Sequence, residues 1–338
     1  MAMEMKNNIR VLFVAPSNAP FIEADFEILR RNFDVTPCYV YERGRGVINS
    51  AKVFFRLVRG LLRNNVAFCW FAEVHSLWTV RLARILGKKS IVVVGGYETA
   101  RIPEIGYGLL LDKRGEKMVR EIFERADKLI PVSNFIMSEM LAFGCGDKIE
   151  VVHNGIDFSG LPSKRTKEDI VVTVGDATVS RCKLKGIDTF VRAAEMIPNV
   201  RFVVVGDTDD NTIYELKKIS ARVEYTGRLP HDELLNLLAR TKVYCQLSMR
   251  ESFGMALLEA AALGCKIIAT EAGAIPEIMG NNAIYVPYGD YRAAAIAIKG
   301  ALSSSGQESG DFVAKSLGYF SIREREKALT RIIRSVVG

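Results

Sequence analysis

Two glutamates flank a Phe-Gly pair in MRESFGMALLEAAALG, residues 249–264. Glu251 precedes a run of strong helix formers, and Glu259 follows eight residues later inside that run. Carboxylates bind phosphate poorly but accept hydrogen bonds from paired hydroxyls, which sugar rings and ribose present. A helix expected over residues 255–263 would aim unpaired N–H groups and a partial positive charge at whatever precedes Met255, which suits a diphosphate. Ser252 is the candidate cap, Gly254 lets a ligand approach the backbone closely, and Gly264 ends the helix. A diphosphate with hydroxyls on both sides of it describes a nucleotide sugar. The plain alternative is a surface-loop glutamate followed by a half-exposed helical one, a spacing that chance supplies often.

The elements that must position these residues are readable as apolar runs. IRVLFVA, DVTPCYVY, VAFCWFAE, KSIVVVGG and KLIPVS alternate with helical patterns in the first half. Strands alternating with helices predict an α/β fold, with a parallel sheet covered by helices on both faces. After the polar segment VVHNGIDFSGLPSKRTKED the pattern restarts with DIVVTVGD, VRFVVVGD, KVYCQLS, CKIIAT and AIYVPYG. The predicted organisation is a first domain over residues 1–155, a second over 156–320, and a charged amphipathic helix over 321–338 that packs back on the first domain. Ligands in such sheets sit beyond the carboxyl ends of the strands, where RESFG begins.

At 338 residues the chain suits two domains rather than one core. No apolar run approaches the roughly 20 residues needed to span a bilayer, and the short apolar run after MAMEMKNN reads as a first strand rather than a leader. Six scattered cysteines without a C-x-x-C pair predict reduced thiols, and with them a cytoplasmic protein. The net charge of +7 points to phosphorylated ligands or an anionic membrane, because no nucleic-acid motif accompanies it. Lys52, Arg56, Arg59 and Arg63 form one helical stripe, with Val53, Phe54, Leu57, Val58, Leu61 and Leu62 on the apolar side. Residues 48–65 can therefore lie on a membrane surface at the inner face. The competing reading is a helix that packs its apolar side on the sheet and leaves a solvated basic face.

The stretch ESFGMALLE resembles the E-x7-E motif of the retaining glycosyltransferases of family four, the glycosyl transferases group 1. VTVGDATVSRCKLKGIDTFVRAA, VEYTGRLPHDELLNLLARTKVY, EAGAIPEIMG, IYVPYGD and VVHNGID resemble further segments of that family, so the likeness covers roughly residues 128–300. The resemblance implies the GT-B fold of two facing Rossmann-like domains around a cleft. It implies a metal-independent enzyme without cofactor that moves a hexose from a UDP- or GDP-linked donor to a hydroxyl acceptor, lipid-linked or polysaccharide, with retention. Carried over, Glu259 would hold the donor ribose and Glu251 the transferred sugar. The amides of Phe253, Gly254 and Met255 would hold sugar and diphosphate. Lys185 would neutralise the diphosphate, with Arg181 as the nearest arginine upstream of it. Gly227 and Arg228, in TGRLP, would face the nucleobase.

Two features depart from the family pattern. APSNAP stands after the first strand where many members carry a Gly-Gly pair, and VVVGGYETA lacks the histidine that contacts the transferred sugar. Gly95, Gly96, Tyr97 and Glu98 are kept as candidate contacts on the acceptor or sugar side, with His75, at an earlier strand end, as a candidate for the acceptor. Asp207-Thr208-Asp209 has the D-x-D form of a manganese site, but a polar strand-end loop is expected there in any case, so no metal is expected. A nucleotide-sugar epimerase or hydrolase on the same fold remains an alternative, as does an inactive sugar-nucleotide-binding protein.

Overall fold

The computed structural model describes residues 9–40, 47–163, 165–304 and 318–338. Residues 1–8, weighed above as a leader, lie outside them. The chain divides into two compact units, one of Met1–Gly155 with Ile322–Gly338 and one of Ile156–Ser321.

In the first unit, strands β1 (Arg10–Ala15), β2 (Asp34–Tyr39), β3 (Val66–Trp70), β4 (Lys89–Val94) and β5 (Lys128–Pro131) form one sheet in the order β2-β1-β3-β4-β5. Every pairing is parallel. Past the exposed Arg10 and Lys89 that open β1 and β4, the central strands are buried and almost wholly apolar because helices cover both of their faces. Pro37 is tolerated because β2 is an edge strand, where a missing N–H need not break a ladder. The connecting helices are α1 (Pro20–Asn32), α2 (Val47–Arg63), α3 (Val74–Ile85) and α4 (Lys113–Arg125), followed after β5 by α5 (Asn134–Met140).

In the second unit, β6 (Glu168–Val174), β7 (Arg201–Val205), β8 (Val223–Tyr225), β9 (Thr241–Gln246), β10 (Lys266–Ala269) and β11 (Ala283–Tyr285) form a parallel sheet in the order β11-β10-β9-β6-β7-β8. Between them run α6 (Val179–Lys185), α7 (Ile187–Glu195), α8 (Asp210–Ile219), α9 (His231–Arg240), α10 (Met255–Ala262), α11 (Ile275–Met279) and α12 (Tyr291–Ser303). Val171, Phe190, Phe202, Val243 and Ile268 meet in its buried core. Strand β8 is absent from the sequence reading. It is a three-residue edge strand with exposed Glu224 at its centre, so it presents no apolar run to detect.

The topology explains where a ligand belongs. From β6 the chain winds outward to β7 and β8, then returns to β9 on the other side of β6 and winds out to β11. In parallel sheets a reversal of this kind is where ligands sit, which points to the carboxyl ends of β6 and β9. The last helix, α13 (Ile322–Val337), belongs to the first unit, where Leu329, Ile332 and Ile333 are buried and the helix packs against α1. None of the six cysteines forms a disulfide, and all are buried.

Candidate active site

The loops after β6 and β9 meet through Lys185 and Glu251. Lys185 is the last residue of α6, and Gly186 turns the chain immediately after it in the left-handed region at φ 65°. A Cβ at position 186 would lie 1.9 Å from the carbonyl oxygen of Leu247, so the turn passes too close to the end of β9 for any other residue. Met249 donates its N–H to Leu184 O at 2.8 Å and ties the two loops again. The lysine then points back, with Nζ 2.7 Å from Glu251 Oε2.

Glu251 is held from three directions. Its carbonyl oxygen accepts the N–H of Ala274 at 2.8 Å. Gly273, at φ 62°, lies so close that a Cβ there would sit 2.1 Å from the same oxygen. Its carboxylate also accepts a 3.1 Å hydrogen bond from Gln246 Nε2, which donates as well to Ser248 Oγ at 2.7 Å. Tyr244 OH donates to Gln246 Oε1 at 2.8 Å, so the amide's orientation follows from its partners. Burial, then the charges of Glu251 and Glu259, push the Tyr244 phenol well above its ordinary value, which keeps it a neutral donor.

Glu259 occupies the fifth position of α10 and is buried. Its Oε1 lies 2.8 Å from Nε2 of His231, the first residue of α9. The residue before α10 is Gly254, at φ 96°, with no side-chain cap; Ser252 does not serve as the cap expected above. Glycine fits because the chain must turn through left-handed backbone to enter the helix, and the first-turn amides stay outside the helical ladder. Phe253 buries its ring edge-on against Phe320, with centroids 5.8 Å apart, and so anchors this loop.

His231 is raised above its ordinary 6.5, first by the hydrogen bond to Glu259, against partial desolvation. The folded protein therefore holds this proton more tightly than the unfolded chain does. The pair's stabilisation is fully present below the unfolded value and is lost as pH rises through the raised one. The Tm difference between wild type and His231→Asn is thus expected to be widest near about pH 6 and to close by about pH 9. A difference that stays constant across that range would exclude an ionic pair.

The remaining candidates divide by location. Arg181 lies one turn before Lys185 on α6 and is half-buried. Gly227, at φ 71°, and Arg228 follow β8, and Arg228 grips Asp207 through both carboxylate oxygens, at 2.5 and 3.2 Å. Asp209 instead caps α8, accepting from Thr212 N and Oγ1 at 2.8 Å each. The two D-x-D carboxylates are thus turned to different partners, and among the described residues no cluster of three or more His, Cys, Asp or Glu gathers.

On the first unit, Glu98 and His75 point inward, not outward as substrate contacts would. Glu98 is fully buried and accepts the N–H groups of Ala72, Gly95 and Gly96 at 3.0, 3.2 and 2.7 Å. Its carboxylate thereby joins the loops after β3 and β4. His75 is buried with Nε2 2.7 Å from Trp70 O, and burial lowers it to about 4, so the neutral ring donates to that carbonyl. Gly95 is required by packing, since a Cβ there would meet the Phe71 ring at 2.3 Å. Tyr97 keeps a partly exposed ring, edge-on to Tyr107 at 5.1 Å. Sequence reasoning missed Gln246, His231 and Gly273. For His231 the signal was available in PHDELL, a histidine opening a helix that a parallel fold lays beside α10.

Two parallel α/β units with a site at the second unit's strand reversal define a GT-B protein. HepE of Anabaena, solved in complex with UDP and glucose, superposes with a TM-score of 0.79 at 14% identity, covering 97% of this chain and 100% of that one. The family model Glycosyltransferase Family 4 matches residues 2–159, and Glycosyl transferases group 1 matches residues 168–304. The chain belongs to this glycosyltransferase family. The gpi3 subunit of phosphatidylinositol N-acetylglucosaminyltransferase from Schizosaccharomyces pombe is 32% identical over 147 residues, 40% of this chain and 31% of that protein. D-inositol 3-phosphate glycosyltransferase from Mycolicibacterium gilvum is 26% identical over 175 residues, 46% of this chain and 40% of that protein. This chain spans well under half the length of either relative.

Proposed function

We propose that this protein transfers a hexose from a nucleotide sugar to a hydroxyl acceptor, with retention of anomeric configuration and without a metal. The observation that carries the reading is the 2.7 Å Lys185–Glu251 pair at the strand reversal, beside the helix that bears Glu259. Glu259 takes the ribose hydroxyls and Glu251 those of the transferred sugar. Lys185 has three N–H donors and uses one on Glu251, so it can hold the sugar's carboxylate partner and a phosphate oxygen together. The bond from the anomeric carbon to the phosphate oxygen breaks as the acceptor oxygen bonds on the same face. The acceptor proton passes to the departing phosphate. Negative charge grows on that phosphate, where Lys185, Arg181 and the first-turn amides of α10 meet it.

UDP is the favoured nucleotide, because HepE was solved with UDP and glucose. The names of both relatives carry inositol, one as a phospholipid and one as the free phosphate, which makes inositol-bearing acceptors of both kinds the first to try. The test is a thermal-shift panel of UDP-, GDP- and ADP-sugars with EDTA present, on wild type and Glu259→Ala. One nucleotide class is expected to raise Tm by roughly 5–10 °C at a hundredfold excess over Kd, and Glu259→Ala is expected to lose that shift. No shift with any nucleotide sugar would overturn the reading. Donor turnover that needs no acceptor would instead indicate an epimerase or hydrolase.

A further inference from the structure

Helix α2 leaves apolar and basic side chains together on its outward face. Its inward face is fixed: Leu57 and Leu61 are buried, and a Cβ on Gly60 would meet Leu12 Cδ1 at 2.6 Å, so the helix lies tight on β1 there. The apolar set read from the sequence therefore splits, with only part of it on the sheet. Phe55 is 69% exposed and Leu62 60% exposed, and their seven-residue spacing places them within about 20° of each other around the helix. Lys52, Arg59, Arg63 and Arg56 are exposed and follow at about 40–100° on one flank. Phe54 lies on the other flank, edge-on to Trp78 of α3 at 5.8 Å and to Phe55 at 6.1 Å. Trp78 is itself 45% exposed.

A helix that merely covered its sheet would turn Phe55 and Leu62 inward and leave a purely charged face outward. This one turns aromatic and branched side chains outward, rimmed by cations, and carries no acidic residue from Val47 to Arg63. We propose that this α2–α3 face docks on the surface of an anionic lipid membrane, with Phe55, Leu62, Phe54 and Trp78 entering the headgroup boundary and the cations meeting lipid phosphates. Aromatic rings with one polar side suit that boundary, and each nearby Lys or Arg adds attraction to anionic lipid. The contact lies on the surface, because no helix among the described residues is long and apolar enough to cross a membrane. The proposal is independent of the sugar-transfer reading, since binding requires neither donor nor acceptor.

The full chain would be sedimented with phosphatidylcholine vesicles and with vesicles containing about a third phosphatidylglycerol. Binding to the anionic vesicles alone is expected. The chain has two tryptophans, and Trp70 is already buried, so a blue shift of fluorescence on binding reports Trp78. Phe55→Ser with Leu62→Ser should weaken binding at least about tenfold while leaving Tm unchanged, since both side chains already face outward. Lys52→Glu with Arg59→Glu should do the same, and salt should weaken wild-type binding without abolishing it. Wild type remaining in the supernatant would overturn the proposal and favour a protein partner for this face. Equal binding by the Phe55/Leu62 variant, or binding without the blue shift, would overturn it too.

Discussion

Asp25→Ala is expected to destabilise the first unit by about 3–5 kcal/mol, the cost of breaking a buried pair from one side. Asp25 and Arg325 are both buried. The guanidinium binds the carboxylate through two parallel bonds, Nε–Oδ1 at 2.5 Å and Nη2–Oδ2 at 2.6 Å. Trp70 Nε1 donates to the same carboxylate at 3.0 Å, and the guanidinium lies over the Trp70 ring at 5.6 Å. Arg325 Nη1 also donates to the carbonyls of Val152 and His153, at 2.9 Å each. One ion pair thus joins α1, the end of β3, the segment before Gly155 and the returning helix α13. Alanine at position 25 would leave a cation sealed in the interior and an indole N–H without its acceptor, and neither can reach water without unfolding its surroundings. The corresponding fall in Tm is roughly 6–20 °C. The double variant Asp25→Leu, Arg325→Leu should recover part of that loss, because an apolar pair needs no compensation. A single-variant loss under about 1 kcal/mol would mean that the surroundings already solvate the guanidinium.

How much of this was legible in the sequence depended on how far apart the interacting residues lie. Strands buried on both faces announce themselves as apolar runs, so both parallel sheets could be read directly, and with them the strand end that carries Glu251. Three-residue β8 could not, because an edge strand with a solvent-facing glutamate has no local pattern. The cap of α10 was misread for a local reason: Ser252 is the better capping residue, but the loop's left-handed entry demands Gly254. The pairings were harder still. Lys185 and Glu251 stand 66 residues apart and meet because β6 neighbours β9, a fact of strand order that no window of sequence contains. Family likeness implies a role for each, but not the bond between them. Glu98 shows the opposite failure. Beside two glycines at a strand end it looked like a ligand contact, but those glycines bring backbone amides together and the carboxylate turns in to satisfy them. Arg325 and Asp25, 300 residues apart, carried no signal beyond the amphipathic pattern of α13.

Lys185→Ala is expected to lower kcat/KM by about 10²–10³, or about 2.7–4 kcal/mol of transition-state stabilisation, measured with the donor that the thermal-shift panel selects. The argument turns on when the charge appears. On the proposed reading, a bound nucleotide sugar already carries its phosphate charge, and the α10 amides would share in holding it. Cleavage adds charge at the bridging oxygen, where a lysine fixed by Glu251 needs no reorganisation. The loss should therefore fall mainly on kcat, with a smaller rise in KM. Stability separates this from a structural role. Glu251 is buried and would lose its cation, but it keeps its bond from Gln246 and its backbone stays pinned by Ala274. The variant should therefore lose about 1–3 kcal/mol on unfolding and still fold, and kcat measured well below its lowered Tm reports the chemistry alone. Lys185→Arg should recover only part of the rate, because a planar fork cannot hold the carboxylate and a phosphate oxygen as a compact ammonium does. A variant within about threefold of wild type in kcat/KM would remove Lys185 from the chemistry and leave charge neutralisation to Arg181 and the helix. An equal fall in kcat/KM carried wholly by KM would make it a binding residue for the donor's ground state.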